Sequence, residues 1–131
     1  MASAWEQFLA QVQNRGEYAT TREAERVTRA VLATLSAHLA GTERRELAEH
    51  LPPQCGPLLL DPLPATRPLN PHEFLEAVAH LIEGATPETA RWDAGAVLSS
   101  LAETAGDDLL HRILTQLPPG YALLFGRAEL A

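Results

Sequence analysis

The chain has no lysine and only one cysteine among its 131 residues. Without lysine, Schiff-base chemistry and the lysine of a P-loop are excluded. The lone Cys55 cannot form a disulfide within the chain, which is typical of the reducing cytosol, so we expect a cytoplasmic protein. The sequence also lacks a signal-peptide pattern and any apolar run near the ~20 residues that a membrane span needs. We therefore expect no contact with a membrane.

Positive charge is scarce as well, and the formal net charge is −7. Residues 1–60 carry six arginines against seven glutamates, whereas residues 61–131 carry four arginines against ten acidic residues. Nucleic acids and anionic lipids attract basic surfaces, so we expect neither as the main partner. The hydrophobic content of 46% is that of a globular protein, and the length suits a single domain over residues 1–131.

What the sequence does contain is a helical pattern of apolar residues. Trp5, Phe8, Leu9 and Val12 fall at i, i+3, i+4 and i+7, which places them on one helix face. Helix starts are indicated by Ser3 with Glu6, by Thr20 with Glu23, and by the run from Asn70 to Glu73. No run alternates with the period of a strand. The sequence therefore predicts an all-α protein, with the second helix running from Thr20 to Gly41.

The helical pattern occurs twice. A shift of 66 residues superimposes core hydrophobes, caps and helix breakers of the two halves, among them Phe8 and Phe74, Leu9 and Leu75, Val12 and Val78, Ala30-Val31-Leu32 and Ala96-Val97-Leu98, and Leu51-Pro52-Pro53 and Leu117-Pro118-Pro119. We therefore predict a six-helix bundle of two tandem three-helix repeats with pseudo-twofold symmetry. The repeats span about residues 3–60 and 70–126, and a proline-rich connector spans 61–69. Leu58-Leu59-Leu60 is too short to predict as a helix and is expected to pack onto the core.

The matched motifs resemble a bacterial family of unknown function, domain family 2267. Similar motifs in that family are a Phe-Leu-x-x-Val start, an Ala-Val-Leu run in the central helix and a Leu-Pro ending to each repeat, here Leu51-Pro52 in the first half. The resemblance extends from about Trp5 to Phe125. It implies the helical fold, and it implies no activity, cofactor or catalytic residue.

The two halves differ most in one segment of the second central helix. Trp92 replaces Arg26, Asp93 replaces the apolar Val27, and Gly95 replaces Arg29. A glycine in a helix centre costs ~1 kcal/mol relative to alanine, so a close helix approach is one expected reason for it. One hypothesis is a protein interface, with Trp92 as the anchor and Asp93 bonded to an arginine. The other is that Trp92 covers the junction between the two repeats of one chain.

Arg22, Arg26 and Arg29 recur at i, i+4 and i+7 along the first central helix. Arginine guanidinium groups suit anions or an acidic partner, so this face is a second candidate interaction site. Glu25 lies four residues before Arg29, which predicts an ordinary helix ion pair. The alternative is therefore a solvated helix face.

The remaining reactive side chains give no catalytic pattern. The five histidines show no paired ligand spacing on one helix turn. His72 with Glu73 and Glu76, or His80 with Glu83, could supply surface ligands, and we interpret both sets as solvated helix residues. Cys55 is interpreted as a buried filler. We therefore predict no catalytic residue, metal or cofactor. The expected function is a non-enzymatic module that binds another protein or a second copy of itself. The alternative is a bundle that binds a small molecule or metal through Asp93 and a histidine.

Overall fold

The computed structural model describes residues 3–60 and 67–127, and all its regular elements in these ranges are helices. The prediction of an all-α protein is thereby confirmed. The described residues form eight α-helices, rather than the six predicted: α1 Ala4–Gly16, α2 Thr21–Ser36, α3 Gly41–His50, α4 Gly56–Leu60, α5 Pro71–Leu81, α6 Pro87–Ala105, α7 Asp107–Gln116 and α8 Tyr121–Leu124, with a 3-10 turn at Pro53–Cys55. None of these helices is long and apolar enough to cross a membrane.

Side-chain caps set the starts of the long helices. Ser3 and Asn70 each form a reciprocal capping box, with Glu6 and Glu73 respectively, and the hydroxyl of Thr20 accepts a hydrogen bond from the backbone N–H of Glu23. Such bonds satisfy the N–H groups that a helix start leaves without partners. The predicted starts of α1, α2 and α5 are therefore confirmed to within a residue.

Helix α2 ends at Ser36, so the expected run to Gly41 is wrong. Beyond Leu35 the backbone bonds shorten to i→i−3, from His38 N to Leu35 O and from Leu39 N to Ser36 O. This tightening is a common way to end a helix. Leu39 is still buried, as its apolar character predicted.

The expectation that residues 58–60 form no helix is also wrong. The 3-10 turn redirects the chain after α3, and Pro57 then occupies the second position of α4, where its fixed φ suits a helix. Leu59 is fully buried in α4, as expected of a segment that packs onto the core.

The two halves share one hydrophobic core cluster. Helix α1 packs against both α2 and α6, and α2 packs against both α5 and α6. Between α3 and α7, Arg112 pairs with Glu43 at 3.4 Å and with Glu46 at 2.5 Å. The core is therefore built from helices of both halves, and neither half surrounds a core of its own.

Leu69, the last residue of the predicted connector, is held from two sides. Its backbone N–H donates to His38 Nε2 at 3.2 Å, and its carbonyl accepts from the Tyr121 hydroxyl at 2.7 Å. The Phe74 ring packs edge-on against the rings of His38 and Tyr121. Residues 61–66 of the predicted connector lie outside the described residues.

Candidate interaction surface

The corner after α1 brings the first half into contact with α6. Glu17 adopts the left-handed conformation, with φ 55° and ψ 40°, and turns the chain so that the Tyr18 ring lies directly over Gly16. A Cβ atom at Gly16 would overlap this ring. Gln13 Nε2 donates to the Tyr18 carbonyl at 3.2 Å and supports the turn from the α1 side. Glycine is therefore required at position 16 for Tyr18 to reach α6.

Asp93 is buried in α6, with 8% of its surface exposed, and its partner is Tyr18. The Tyr18 hydroxyl donates to Asp93 Oδ1 at 2.6 Å. Burial raises the pKa of Asp93, and the charge of Glu23 adds to this, while the Tyr18 bond and Arg26 act in the opposite direction. Burial, followed by the bond to Asp93, likewise raises the pKa of Tyr18.

Within the chain the donor to Asp93 is therefore a tyrosine and not an arginine, and the arginine bond expected across an interface stays a prediction. The left-handed turn at Glu17 delivers a phenol hydroxyl to the carboxylate, whereas Arg26 acts on Asp93 only through its charge. A hydroxyl donor satisfies the buried carboxylate without burying a second charge.

Trp92 combines features of both hypotheses made for it. Its Nε1–H donates to the Gly16 carbonyl at 2.8 Å, which satisfies one of the acceptors left free at the end of α1. This bond lies at the junction of the two halves. Yet 54% of the Trp92 surface remains exposed. The N–H is thus used within the chain, while much of the ring faces solvent.

No helix of the described residues approaches Gly95 closely, so the close contact expected of it is not made within the chain. A Cβ atom placed on Gly95 would meet no atom within 4 Å, and its φ is not positive. Neither packing within the described residues nor backbone conformation requires glycine here. The space above Gly95 is open.

That space is part of a groove along α6, with a volume of about 450 Å³. Leu123 of α8 is 67% exposed at the groove, and Arg91 has no ion-pair partner among the described residues. Arg15 is held in place by Ser100 at 2.9 Å and by Glu103 at 2.6 Å. The residues that line the groove include Arg15, Glu88, Arg91, Trp92, Gly95 and Leu123.

The three arginines of α2 are exposed or half-buried, as predicted of a helix face. Arg29 pairs with Glu25 at 3.0 Å, and its guanidinium lies 6.0 Å from the centre of the Trp5 ring. Arg22 and Arg26 have no ion-pair partner among residues 3–60 and 67–127. These side chains form an open face on α2, which we call the arginine face: Arg22, Glu25, Arg26 and Arg29.

The other candidate groups occupy structural positions. Cys55 is buried, and burial raises the pKa of its thiol to about 11. His38 is half-buried, and its Nε2 accepts a hydrogen bond from the backbone N–H of Leu69. Within the described ranges, no three His, Cys, Asp or Glu side chains are close enough to hold a metal ion.

Gly16, Tyr18 and Leu123 were missed by the sequence reasoning. Tyr18 is 75 residues from Asp93, and no periodic pattern links two positions so far apart. Leu123 corresponds to Pro57 of the first half at the shift of 66 residues, and this change to leucine was a weak signal in the sequence.

Comparison with known proteins identifies a family. No curated protein matches the chain. A family model described as "Uncharacterized conserved protein (DUF2267)" matches residues 5–124, and this confirms the resemblance seen in the repeated motifs. The chain belongs to this DUF2267 family.

Proposed function

We propose that the protein is a non-enzymatic protein-interaction module and that the groove beside Trp92 is its docking surface. The observation that carries this proposal is the open glycine. Gly95 lowers helix stability by roughly 1 kcal/mol relative to alanine, with no packing within the described residues in return. A partner that approaches the α6 backbone closely would account for it.

The side chains around Gly95 support the same function. Four large hydrophobic residues are exposed among the described residues, and two of them, Trp92 and Leu123, line this one groove. Arginine side chains stand beside them. Tryptophan and arginine are the residue types that most often dominate binding energy at protein interfaces.

The proposal of no enzymatic activity rests on the positions of the candidate nucleophiles. The Cys55 thiol is buried with a raised pKa, and the Ser100 hydroxyl donates to the Ala96 carbonyl at 2.9 Å within its own helix. Asp93, the carboxylate named for the alternative ligand site, bonds to Tyr18, and the half-buried histidine His38 bonds to Leu69. This favours a protein partner over a small molecule or metal.

We further infer a single domain over residues 1–131, built from two tandem repeats with pseudo-twofold symmetry and acting in the cytoplasm. The order of helices supports the repeat, because α1 to α4 and α5 to α8 follow one another with the same relative lengths of long and short elements. The shared core supports the single domain. The net charge of −7 supports a protein partner rather than nucleic acid or membrane.

Photo-crosslinking in the natural host tests the docking surface. A benzophenone amino acid is placed at Leu123 in the groove and, as the matched control, at Leu60, which is 55% exposed on α4. We expect a defined protein adduct from position 123 and none from position 60. Trp92→Ala should abolish the adduct while helicity measured by circular dichroism is retained. Equal labelling at both positions, or none at position 123, would contradict the proposal.

A further inference from the structure

We propose that the partner in the groove beside Trp92 is a second copy of this chain, which docks the arginine face of its α2. This inference rests on the proposed function, because it names the occupant of the same groove. It is carried by a comparison of the exposed faces of α2 and α6.

The helix caps fix how these two faces correspond. Thr20 caps α2 and Thr86 caps α6, each with its hydroxyl on a backbone N–H of the first turn. Counted from the cap, the second, fifth, sixth and ninth residues are exposed or half-buried in both helices. They are Arg22, Glu25, Arg26 and Arg29 in α2, and Glu88, Arg91, Trp92 and Gly95 in α6.

The charges at two of these positions are reversed between the helices. The second position holds Arg22 in α2 and Glu88 in α6, and the fifth holds Glu25 in α2 and Arg91 in α6. Two copies of the arginine face would place three arginines against three arginines. The α2 face of one copy against the α6 face of another places opposite charges together, which selects this pairing over the like one.

The other two positions are complementary in shape. Arg26 of one copy meets the exposed Trp92 ring of the other, and a guanidinium over an indole is a favourable cation–π contact. The open space above Gly95 admits a long side chain, which is Arg29 of the other copy when the two helices run parallel. The chain already contains a related contact, that of Arg29 with the Trp5 ring at 6.0 Å.

The helix direction decides the central pairs. In parallel helices with aligned caps, like positions face each other, so Glu25 faces Arg91 and Arg26 faces Trp92. Antiparallel helices would exchange the fifth and sixth positions and place Arg26 against Arg91, so the charges select the parallel pairing. Glu25 already pairs with Arg29 of its own helix at 3.0 Å. Exposed ion pairs of that kind contribute little to stability. On docking, Glu25 can therefore leave Arg29 and pair with Arg91 of the other copy at a small cost in free energy.

A reciprocal charge exchange tests this contact in the full chain. The variants Glu25→Arg and Arg91→Glu are studied alone and as an equimolar mixture, by sedimentation and light scattering. The wild type should show masses of at least twice that of the 14.2 kDa chain. Each variant alone should associate about tenfold more weakly, because like charges now face each other. The mixture should regain the wild-type affinity, since the arginine introduced at position 25 of one variant faces the glutamate introduced at position 91 of the other.

Matched controls and contrary outcomes separate this inference from the proposed function. Arg45→Glu and Glu49→Arg make the same charge changes on the exposed surface of α3 and should leave association unchanged. A wild type that stays monomeric at millimolar concentration, single variants that associate like the wild type, or a mixture that is not restored would each overturn the inference. If position 123 crosslinks a different protein while the wild type is monomeric, the proposed function stands and self-docking fails. If position 123 gives no adduct at all, both fail.

Discussion

Two glycines near the α1–α6 contact have opposite environments. A Cβ atom at Gly16 would overlap the Tyr18 ring, whereas one at Gly95 would meet open space. The Tyr18 ring cannot move away from Gly16 without losing its bond to the buried carboxylate of Asp93. The same substitution therefore has opposite consequences at the two positions.

We expect Gly95→Ala to stabilise the protein and Gly16→Ala to destabilise it. At position 95 the gain is about 0.5–1 kcal/mol, because alanine loses less backbone entropy in a helix. At position 16 the loss is about 1–3 kcal/mol, the usual cost of forcing extra volume into a packed site. Urea unfolding followed by circular dichroism measures both, and each variant is the control for the other. Shifts of the same sign would refute the assignment of the two environments.

A second prediction at the scale of single residues concerns the hydrogen bond between Tyr18 and Asp93. Because the hydroxyl donates to the carboxylate, Tyr18→Phe should raise the pKa of Asp93 further above its ordinary value of 3.8. NMR titration of the Asp93 carboxyl measures this pKa. Tyr121→Phe is the matched control, since the Tyr121 hydroxyl donates to the Leu69 carbonyl and should leave the pKa of Asp93 unchanged.

The direction of the accompanying stability change follows from proton binding. The folded state raises the pKa of Asp93, so it holds this proton more tightly than the unfolded state does. The contribution of Asp93 to stability is therefore greatest below pH 3.8 and is lost as the pH rises through the folded pKa. The free energy of unfolding of the wild type minus that of Asp93→Asn should therefore decrease as the pH rises from 3.8 through the folded pKa of Asp93. A difference that rises with pH would contradict the burial of a carboxylate with a raised pKa.

Sequence reasoning found half of this site. Asp93 was noticeable because an acid stands where the first half has the buried Val27, and Trp92 because an aromatic residue replaces an arginine. Their partners Tyr18 and Gly16 were not found, since the left-handed turn at Glu17 that directs them to α6 is a tertiary feature. A local pattern thus identified residues that need a partner but could not identify the partner.

At the scale of a helix, an ion pair adds to the capping box at the start of α5. Arg67 donates to both carboxylate oxygens of Glu73, at 3.0 and 2.5 Å, and the Asn70 backbone N–H donates to the same carboxylate. The guanidinium bond, followed by the backbone bond, lowers the pKa of Glu73 from its ordinary 4.5 to about 2. Glu73 is also the third residue of α5, where a negative charge suits the helix dipole.

We expect Arg67→Gln to raise the pKa of Glu73 towards 4.5. The backbone bond from Asn70 remains, so the recovery should be partial. Because the folded state lowers this pKa, the contribution of Glu73 to stability is present above pH 4.5 and is lost as the pH falls towards 2. NMR titration of Glu73 measures the change, with Arg45→Gln on α3 as the control. An unchanged pKa in Arg67→Gln would show that the pair does not form in solution.

Helix starts were predictable and helix ends were less so. Caps such as Ser3 and Asn70 act within three residues, so their signal is present in the local sequence. The early end of α2 at Ser36 and the short helix α4 depend instead on packing. Leu39 is buried although it lies beyond the end of α2, and Leu59 is buried within α4. Apolar periodicity alone continued α2 too far, because a buried residue after a helix looks like one more turn of it.

At the scale of the molecule, the shared core predicts a single unfolding transition. Trp5 lies in α1, whereas Trp92 lies in α6 and bonds to Gly16 of α1, so they report on the first half and on the junction of the two halves. In Trp5→Phe and Trp92→Phe, the remaining tryptophan fluorescence should unfold at the same urea concentration as the helical signal of that variant. Separate midpoints for fluorescence and helicity in either variant would show that the halves unfold independently and would contradict the single domain.

The packing of α1 against α6 also has a consequence for synthesis. Arg15 bonds to Ser100, which follows it by 85 residues in the chain. At a ribosomal rate of about 5–20 residues per second, Ser100 is synthesised roughly 4–17 s after Arg15. During that interval Phe8 and Val12, buried in the finished core, lack much of the surface that covers them. The nascent chain is thus most exposed to aggregation and to chaperones before α6 leaves the ribosome.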